Sequence, residues 1–393
     1  MTGITAEGTT IIRGAVLETI GAGQPFADST PLRIQELRLD APGPGEVRIR
    51  IEAAGVCHSD LSVVDGNRVR PVPMLLGHEA AGIVEELGEG VDDLDIGQRV
   101  VMVFLPRCGQ CPECATDGRL PCSAGSASNN AGELLGGGRR LRRGTAADAE
   151  PVHHHLGVSG FATGAVVDRR SVVPVDADVP PEIAAVLGCA VLTGGGAVLN
   201  AARPGTQDDI IVVGLGGVGM AALMVARAVT SGRVTGIDQQ PDKLQLAREL
   251  GADAALTPDQ ATENDVSAPY VIEAAGHPVA FETAVGLTGP GGTTVTVGLP
   301  APDAVSRISP LGLTAQARSI IGSYLGSAVP ARDIPRFVEL WRAGKLPLER
   351  LITRHIRLED INEAMDELAA GRAVRQVIDF RSERLQRSGP RPR

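Results

Sequence analysis

The chain has 393 residues, room for two domains with cores of their own. It is 43% hydrophobic and 21% charged, a soluble globular balance, and with only 2% aromatics its cores must be built from Val, Leu, Ile and Ala. A net charge of −10 without a long basic stripe argues against nucleic acid and anionic membranes as partners.

The start of the chain lacks a basic run followed by an apolar stretch and a small-residue cleavage site, so a cytoplasmic rather than exported protein is expected. Cysteines stay reduced there and serve metals or catalysis. Residues 1–10 read as a polar extension. Residues 11–16 and 32–39 alternate as strands, Pro42-Gly43-Pro44-Gly45 makes a turn, and 46–52 is a period-two strand. Further strands at 82–88 and 98–103 complete an antiparallel, barrel-like β domain.

Inside that domain the stretch 57–82 concentrates chemistry: Cys57-His58-Ser59-Asp60, then Gly77-His78-Glu79-Ala80-Ala81-Gly82. Thiolate and neutral imidazole are preferred zinc ligands, and a catalytic zinc needs three protein ligands plus an open position. Cys189 supplies the third, giving a candidate Cys57, His78, Cys189 site with Asp60 and Glu79 beside it. Cys108, Cys111, Cys114 and Cys122 crowd four thiols into fifteen residues, a structural zinc signature with no open position.

Residues 123–151, rich in Gly, Ala, Ser and Arg, read as a long loop, flexible or ordered only against a partner. The arginines at 139, 140, 142 and 143, like those of the tail, are expected on solvated segments. His153, His154 and His155 read as surface or cleft-lining histidines.

From about residue 182 helices and strands alternate. A helix opens at Pro180-Pro181-Glu182. The apolar run 210–229 resolves into a strand, a glycine-rich turn and a helix rather than a membrane span. A strand at 234–237, a helix at 242–250, a strand at 270–274, a helix near 278–287 and a strand at 293–298 continue a parallel, doubly wound sheet. Gly214-Leu215-Gly216-Gly217-Val218-Gly219 joins strand to helix, and Asp238 ends the next strand 19 residues past Gly219. The glycines serve the tight turn, close backbone approach to a pyrophosphate, and helix–strand packing. Asp238 would accept from the adenosine ribose and repel a 2′-phosphate, selecting NAD over NADP. Helices at 331–343 and 359–370 and a strand at 373–380 follow, before a loose tail.

With these motifs in this order, residues 11–380 resemble the zinc-dependent medium-chain alcohol dehydrogenases, and the long 123–151 segment resembles their longer-chain branch of liver-type and thiol-adduct formaldehyde-oxidising enzymes. The resemblance implies an α/β protein. A GroES-like, barrel-type catalytic domain would span 1–190 with its zinc lobe at 108–122, a Rossmann domain 191–325, a return to the catalytic domain 326–380 and a tail 381–393. It implies two zinc ions, NAD, and a homodimer formed through the nucleotide domains. By resemblance Glu79 approaches zinc during ligand exchange, Asp60 orients His78, and Ser59 hydrogen-bonds the substrate oxygen. His58 and Arg375 correspond to phosphate contacts, Thr193 lies beside the nicotinamide and Lys243 near the adenosine ribose. Phe104, His155, Leu299 and Tyr324 correspond to substrate-pocket positions, His155 standing where an aromatic is common. One departure is Ser62, where liver-type members carry a relay histidine, so the proton path through Ser59 is expected to end in water.

The expected reaction interconverts small alcohols with aldehydes or ketones: a zinc alkoxide forms and its hydride passes to nicotinamide. Two other readings compete with it. One is a glutathione- or mycothiol-dependent formaldehyde dehydrogenase using Arg119 or the 139–143 arginines. The other is a non-catalytic NAD- and zinc-binding protein. Zinc-free quinone-reductase-like relatives are opposed by the ligands themselves.

Overall fold

The computed structural model describes residues 8–144 and 148–381. Most of the expected N-terminal extension, and the tail beyond Arg381, lie outside the described residues. Two compact units emerge, one of Met1–Cys111, Cys122–Gly188 and Ile352–Arg393, the other of Pro112–Pro121 and Cys189–Leu351.

The first unit is β-rich. Thr10–Leu17, Leu32–Leu39, Leu141–Arg143, Glu150–His154 and Met74–Leu75 close into a barrel. A second sheet runs Val172–Val175, Arg99–Met102, Ala80–Leu87, Glu46–Val56, Gln376–Asp379, Arg354–Ile356, with Gly164–Asp168 also on Glu46–Val56. Glu46–Val56 alternates in sequence yet is almost wholly buried, because three strands pair with it; Arg48 reaches Glu86 at 2.6 Å from there.

The segment 123–151 is not a loop. Ser123–Ala131 is a helix whose N-cap, Cys122, accepts from Gly125 N, and which ends on left-handed Gly132. Its Asn129 amide donates to Phe104 O at 2.7 Å, while Leu134 and Leu141 join Val16, Leu37, Leu39 and Leu75 in the barrel core. Within this segment, residues 145–147 lie outside the described residues.

The arginines of this segment are partly exposed, as expected, but each is paired with an acid. Arg139 pairs with Glu133, Arg140 with Glu46 at 2.7 Å, Arg142 with Asp40, and Arg143 with both Glu18 and Glu150. Arg142 and Arg143 lie on the strand Leu141–Arg143, and Glu46, Asp40 and Glu18, the partners of Arg140, Arg142 and Arg143, are remote in sequence. His154 and His155 are buried rather than on the surface.

The second unit is a six-stranded parallel sheet in the order Ala254–Leu256, Val234–Ile237, Ile210–Val213, Ala268–Glu273, Thr288–Thr296, Ser319–Gly322. The strand order reverses between Ile210–Val213 and Ala268–Glu273, where such sheets open a ligand crevice at their carboxyl ends. Ile211, Val213, Ile237 and Val271 pack against Ala261, Ala284 and Leu287 of two covering helices. The chain returns to the first unit at Ile352, not at 326. The helix Pro330–Arg342 stays with the second unit because its Phe337 lies flush against Gly195, where a Cβ would meet the ring at 2.6 Å.

Candidate active site

Cys57 follows the strand Glu46–Val56 and N-caps the helix His58–Val64, and Asp60 closes a capping box from that helix's first turn. The Asp60 carboxylate is fully buried and accepts from Cys57 N and Gly77 N, both at 3.2 Å. Gly77 has φ 91°, and a Cβ there would stand 2.4 Å from Phe161 N, so only glycine lets the chain pass and turn His78 inward. His78 Nδ1 lies 3.0 Å from Asp60 Oδ1. That contact calls for an Nδ1–H tautomer and leaves Nε2 as a lone-pair donor, the arrangement usual for a metal-ligating histidine.

Cys189 sits in a π-helical turn, Leu187–Val191, of the helix Pro181–Ala202. The helix presses on the strand Arg99–Met102: a Cβ on Gly188 would meet Met102 O at 2.3 Å. The boundary between the units falls between Gly188 and Cys189, so Cys189 rides on an element anchored in the first unit. The ligand atoms of Cys57, His78 and Cys189 all lie within 4.8 Å of one another and all three residues are buried. Two thiols and one imidazole, with an oriented ring, fit a zinc ion.

The surrounding charge also suits a cation. Burial alone would raise Asp60, yet His78 and His155 hold it below the usual carboxylate value. Burial pulls His78 down, but Asp60 and Cys57 push it well above an ordinary imidazole. Glu79 is buried beside them and burial raises it to about 7 against the pull of Arg375. Gly55 makes room for it, since a Cβ there would stand 2.1 Å from Glu79 Oε1. Arg375, expected at a cofactor phosphate, is 3% exposed, 3.2 Å from Glu79 Oε2, and donates to Val56 O.

Phe104 and His155, both expected in a substrate pocket, meet the His78 ring edge-on at 5.4 Å and 5.5 Å between centroids. His155 also brings Nδ1 to 3.2 Å from Asp60 Oδ1, off hydrogen-bond alignment. Composition and spacing gave no sign of this contact. Ser59 is half-buried and His58 exposed on the Asp60 helix, and the Ser62 hydroxyl donates to His58 O at 2.9 Å. In the second unit Thr193 is buried in the helix Leu192–Gly196, Leu299 is exposed, and Tyr324 is half-buried.

The sulfurs of Cys108, Cys111, Cys114 and Cys122 also lie within 4.8 Å of one another. Backbone N–H groups already point at them: Cys122 Sγ accepts from Cys108 N and Gly125 N at 3.3 Å, and Cys108 Sγ from Gln110 N at 3.5 Å. The backbone amides of Gln110 and Cys111 lower the Cys108 thiol. Four such sulfurs fit a second, closed zinc site.

At the glycine-rich turn, Gly214 has φ 88°, and a Cβ there would strike Ala275 N at 2.6 Å. A Cβ on Gly219 would come within 1.7 Å of Gly214 O, whereas one on Gly216 would meet nothing within 4 Å among the described residues. Gly217 and Val218 open the helix Gly217–Val229. Asp238 accepts from Leu215 N at 2.8 Å and Gln240 N at 2.9 Å, with Lys243 Nζ at 4.0 Å. A second acid went unread: Glu273 accepts from Ala275 N, Gly276 N and Thr296 Oγ1, bracing the neighbouring crevice wall. Its signal was an acid closing the apolar strand Ala268–Glu273.

The family profile for the alcohol dehydrogenase GroES-like domain matches residues 43–177, and that for zinc-binding dehydrogenases matches 217–343. The chain is 38% identical to the geraniol dehydrogenase of Castellaniella defragrans, over 94% of this chain and 97% of that one. Among solved structures it resembles an alcohol dehydrogenase zinc-binding domain protein from Burkholderia ambifaria (TM-score 0.86, 32% identity) and the benzyl alcohol dehydrogenase of Acinetobacter calcoaceticus (TM-score 0.84, 29% identity), each over 94% of this chain and 99% of the other. The first unit is therefore a GroES-like domain and the second a Rossmann-like nucleotide-binding domain, and the chain belongs to the zinc-binding medium-chain alcohol dehydrogenase family.

Proposed function

We propose that the protein is an NAD-dependent zinc alcohol dehydrogenase that oxidises apolar primary alcohols with an unsaturated or aromatic neighbour to the hydroxyl carbon. The observation carrying this reading is the buried Cys57, His78, Cys189 cluster with Asp60 on the far nitrogen of His78. A zinc ion bound there supplies the Lewis-acid charge that makes an alcohol hydroxyl acidic near neutral pH. Asp60 keeps the His78 ring aimed and its Nδ1 protonated. Ser59, in the first turn of the same helix, offers the hydroxyl to receive the substrate proton, and with Ser62 tied to His58 O that proton leaves through water. Asp238 supports NAD: its carboxylate would accept from the ribose and repel a 2′-phosphate.

The substrate class draws on the relatives that act, by name, on geraniol and benzyl alcohol. Phe104 beside His78 suits such a substrate. The 139–143 arginines are already paired with acids, which leaves the thiol-adduct reading without that anion site. The four-cysteine cluster would hold a second, structural zinc. Cysteines grouped as metal ligands suit a reducing compartment such as the cytoplasm. A homodimer is supported by the edge strand Ser319–Gly322, which exposes Ile320 and Ile321.

The test is steady-state reduction of NAD and NADP by zinc-replete enzyme with geraniol, benzyl alcohol, ethanol, and formaldehyde with and without glutathione. Turnover of the first two with NAD, lost in Cys57→Ala while NAD still binds, is the expected result. Activity confined to formaldehyde plus thiol would replace the substrate assignment. Silence with all substrates, despite two bound zinc ions and bound NAD, would overturn the enzyme.

A further inference from the structure

We propose that His155 is a positioning residue of the metal centre, holding the Asp60 carboxylate jointly with His78 rather than lining a substrate pocket. The proposal rests on the zinc reading of Cys57, His78 and Cys189.

Asp60 Oδ1 is approached by three nitrogens: His78 Nδ1 at 3.0 Å, His155 Nδ1 at 3.2 Å and Gly77 N at 3.2 Å. The two imidazoles stand at 90°, so one carboxylate oxygen is approached from two perpendicular planes. His155 is 1% exposed, and among the described residues its Nδ1 makes no aligned hydrogen bond, leaving Asp60 as the acceptor it faces. The backbone is shaped to hold it there. Leu156 and Ser159 adopt left-handed φ values of 52° and 54°, conformations that non-glycine residues keep only under constraint. Ser159 Oγ accepts from His155 N at 3.0 Å, and Val158 N and Ser159 N donate back to His155 O.

The consequence is physical. His78 and Gly77 hold this oxygen by hydrogen bonds, and the His155 ring adds a close electrostatic contact at 3.2 Å, which together restrain the carboxylate from swinging. His78 then keeps its Nδ1 proton and its aim, and binds as a neutral ligand. A phenylalanine would fill the same volume without the N–H. Asparagine would restore an N–H donor close to the position of Nδ1.

The experiment compares wild type, His155→Phe and His155→Asn by zinc affinity of the three-ligand site under chelator competition, and by the visible spectrum of the cobalt-substituted enzyme. Retention of the four-cysteine zinc reports that each variant is folded. The expected result is zinc binding weakened about tenfold or more in H155F, the size usual for outer-shell ligands, with a changed cobalt spectrum, and recovery of both in H155N. A folded H155F with wild-type zinc affinity and cobalt spectrum overturns the proposal. So does a folded H155N as impaired as H155F, which would make the role one of packing. Wild type that binds no metal at Cys57, His78 and Cys189 would overturn the zinc reading as well, which separates the two failures.

Discussion

Arg375 Nη1 stands 3.2 Å from Glu79 Oε2, and both side chains are buried, the carboxylate completely. Burial raises Glu79 to about 7 in spite of that guanidinium, so its charge is present above neutrality and is lost as pH falls through 7. Deleting the cation from a buried pair typically costs about 3–5 kcal/mol, because the remaining charge is stranded. Arg375→Met should therefore be strongly destabilised at pH 8 and less so at pH 6, where Glu79 takes up a proton. The double variant with Glu79→Gln should recover part of the loss. Urea unfolding at the two pH values checks this, and a cost independent of pH would refute it.

The glycines of the turn divide by what a side chain would meet. Gly219 is required by the protein itself, since its Cβ would sit 1.7 Å from Gly214 O. Gly216 has open space, so its lack of a side chain serves an approaching ligand. Gly216→Ala should fold normally and lose NAD affinity by about tenfold or more, roughly 1.4 kcal/mol. Gly219→Ala should lower the melting temperature of the protein without its cofactor. Calorimetry for NAD binding and thermal unfolding distinguish the two. Equal melting losses in both variants would sink the division.

Much of this was readable because zinc chemistry and phosphate binding restrict residue types. Cys57, His78, Cys189 and the glycine-rich turn are identifiable wherever they lie in the fold. The helix Ser123–Ala131 escaped because it lacks an apolar stripe; a Cys122 cap and one Asn129 bond to a distant carbonyl hold it. The pairing of the arginines at 139–143 is invisible in the sequence because the fold alone brings Glu46, Asp40 and Glu18 to them. His155 was read as a pocket residue, and its contact with Asp60 follows from the folding of two segments far apart in sequence.

The four-cysteine lobe should report its metal through the helix that follows it. Cys122 both offers a ligand sulfur and caps Ser123–Ala131, whose Asn129 is tied to Phe104 O near His78. Cys114→Ser should reduce bound zinc from two ions to one per chain and open 112–131 to limited proteolysis. Elemental analysis and peptide mapping measure both. Unchanged zinc content would rule out the site.

The edge strand makes a prediction about assembly. Ile320 and Ile321 are 36% and 38% exposed on Ser319–Gly322, and edge strands that stay monomeric are usually blunted by charge. Ile321→Lys should convert the proposed dimer to a monomer, measured by light scattering. A wild-type protein already monomeric at micromolar concentration would contradict the dimer.

His154 should contribute to the acid sensitivity of the barrel. Burial, reinforced by the charges of Arg139 and Arg140, pushes its imidazole down to about 3. Its Nε2 accepts from Arg140 N at 3.1 Å, so the neutral ring is the species the fold needs. Between about 6.5 and 3 the unfolded chain binds a proton that the folded chain refuses, so folding stability falls as pH drops through this window. The loss from this one residue is about 1.4 kcal/mol per pH unit. His154→Gln keeps an acceptor for the Arg140 N–H but does not titrate. Its stability between pH 6 and 4 should therefore decline less steeply than that of the wild type, by about one proton's worth. Urea unfolding across that range measures both slopes, and parallel slopes would show that His154 is not the group responsible.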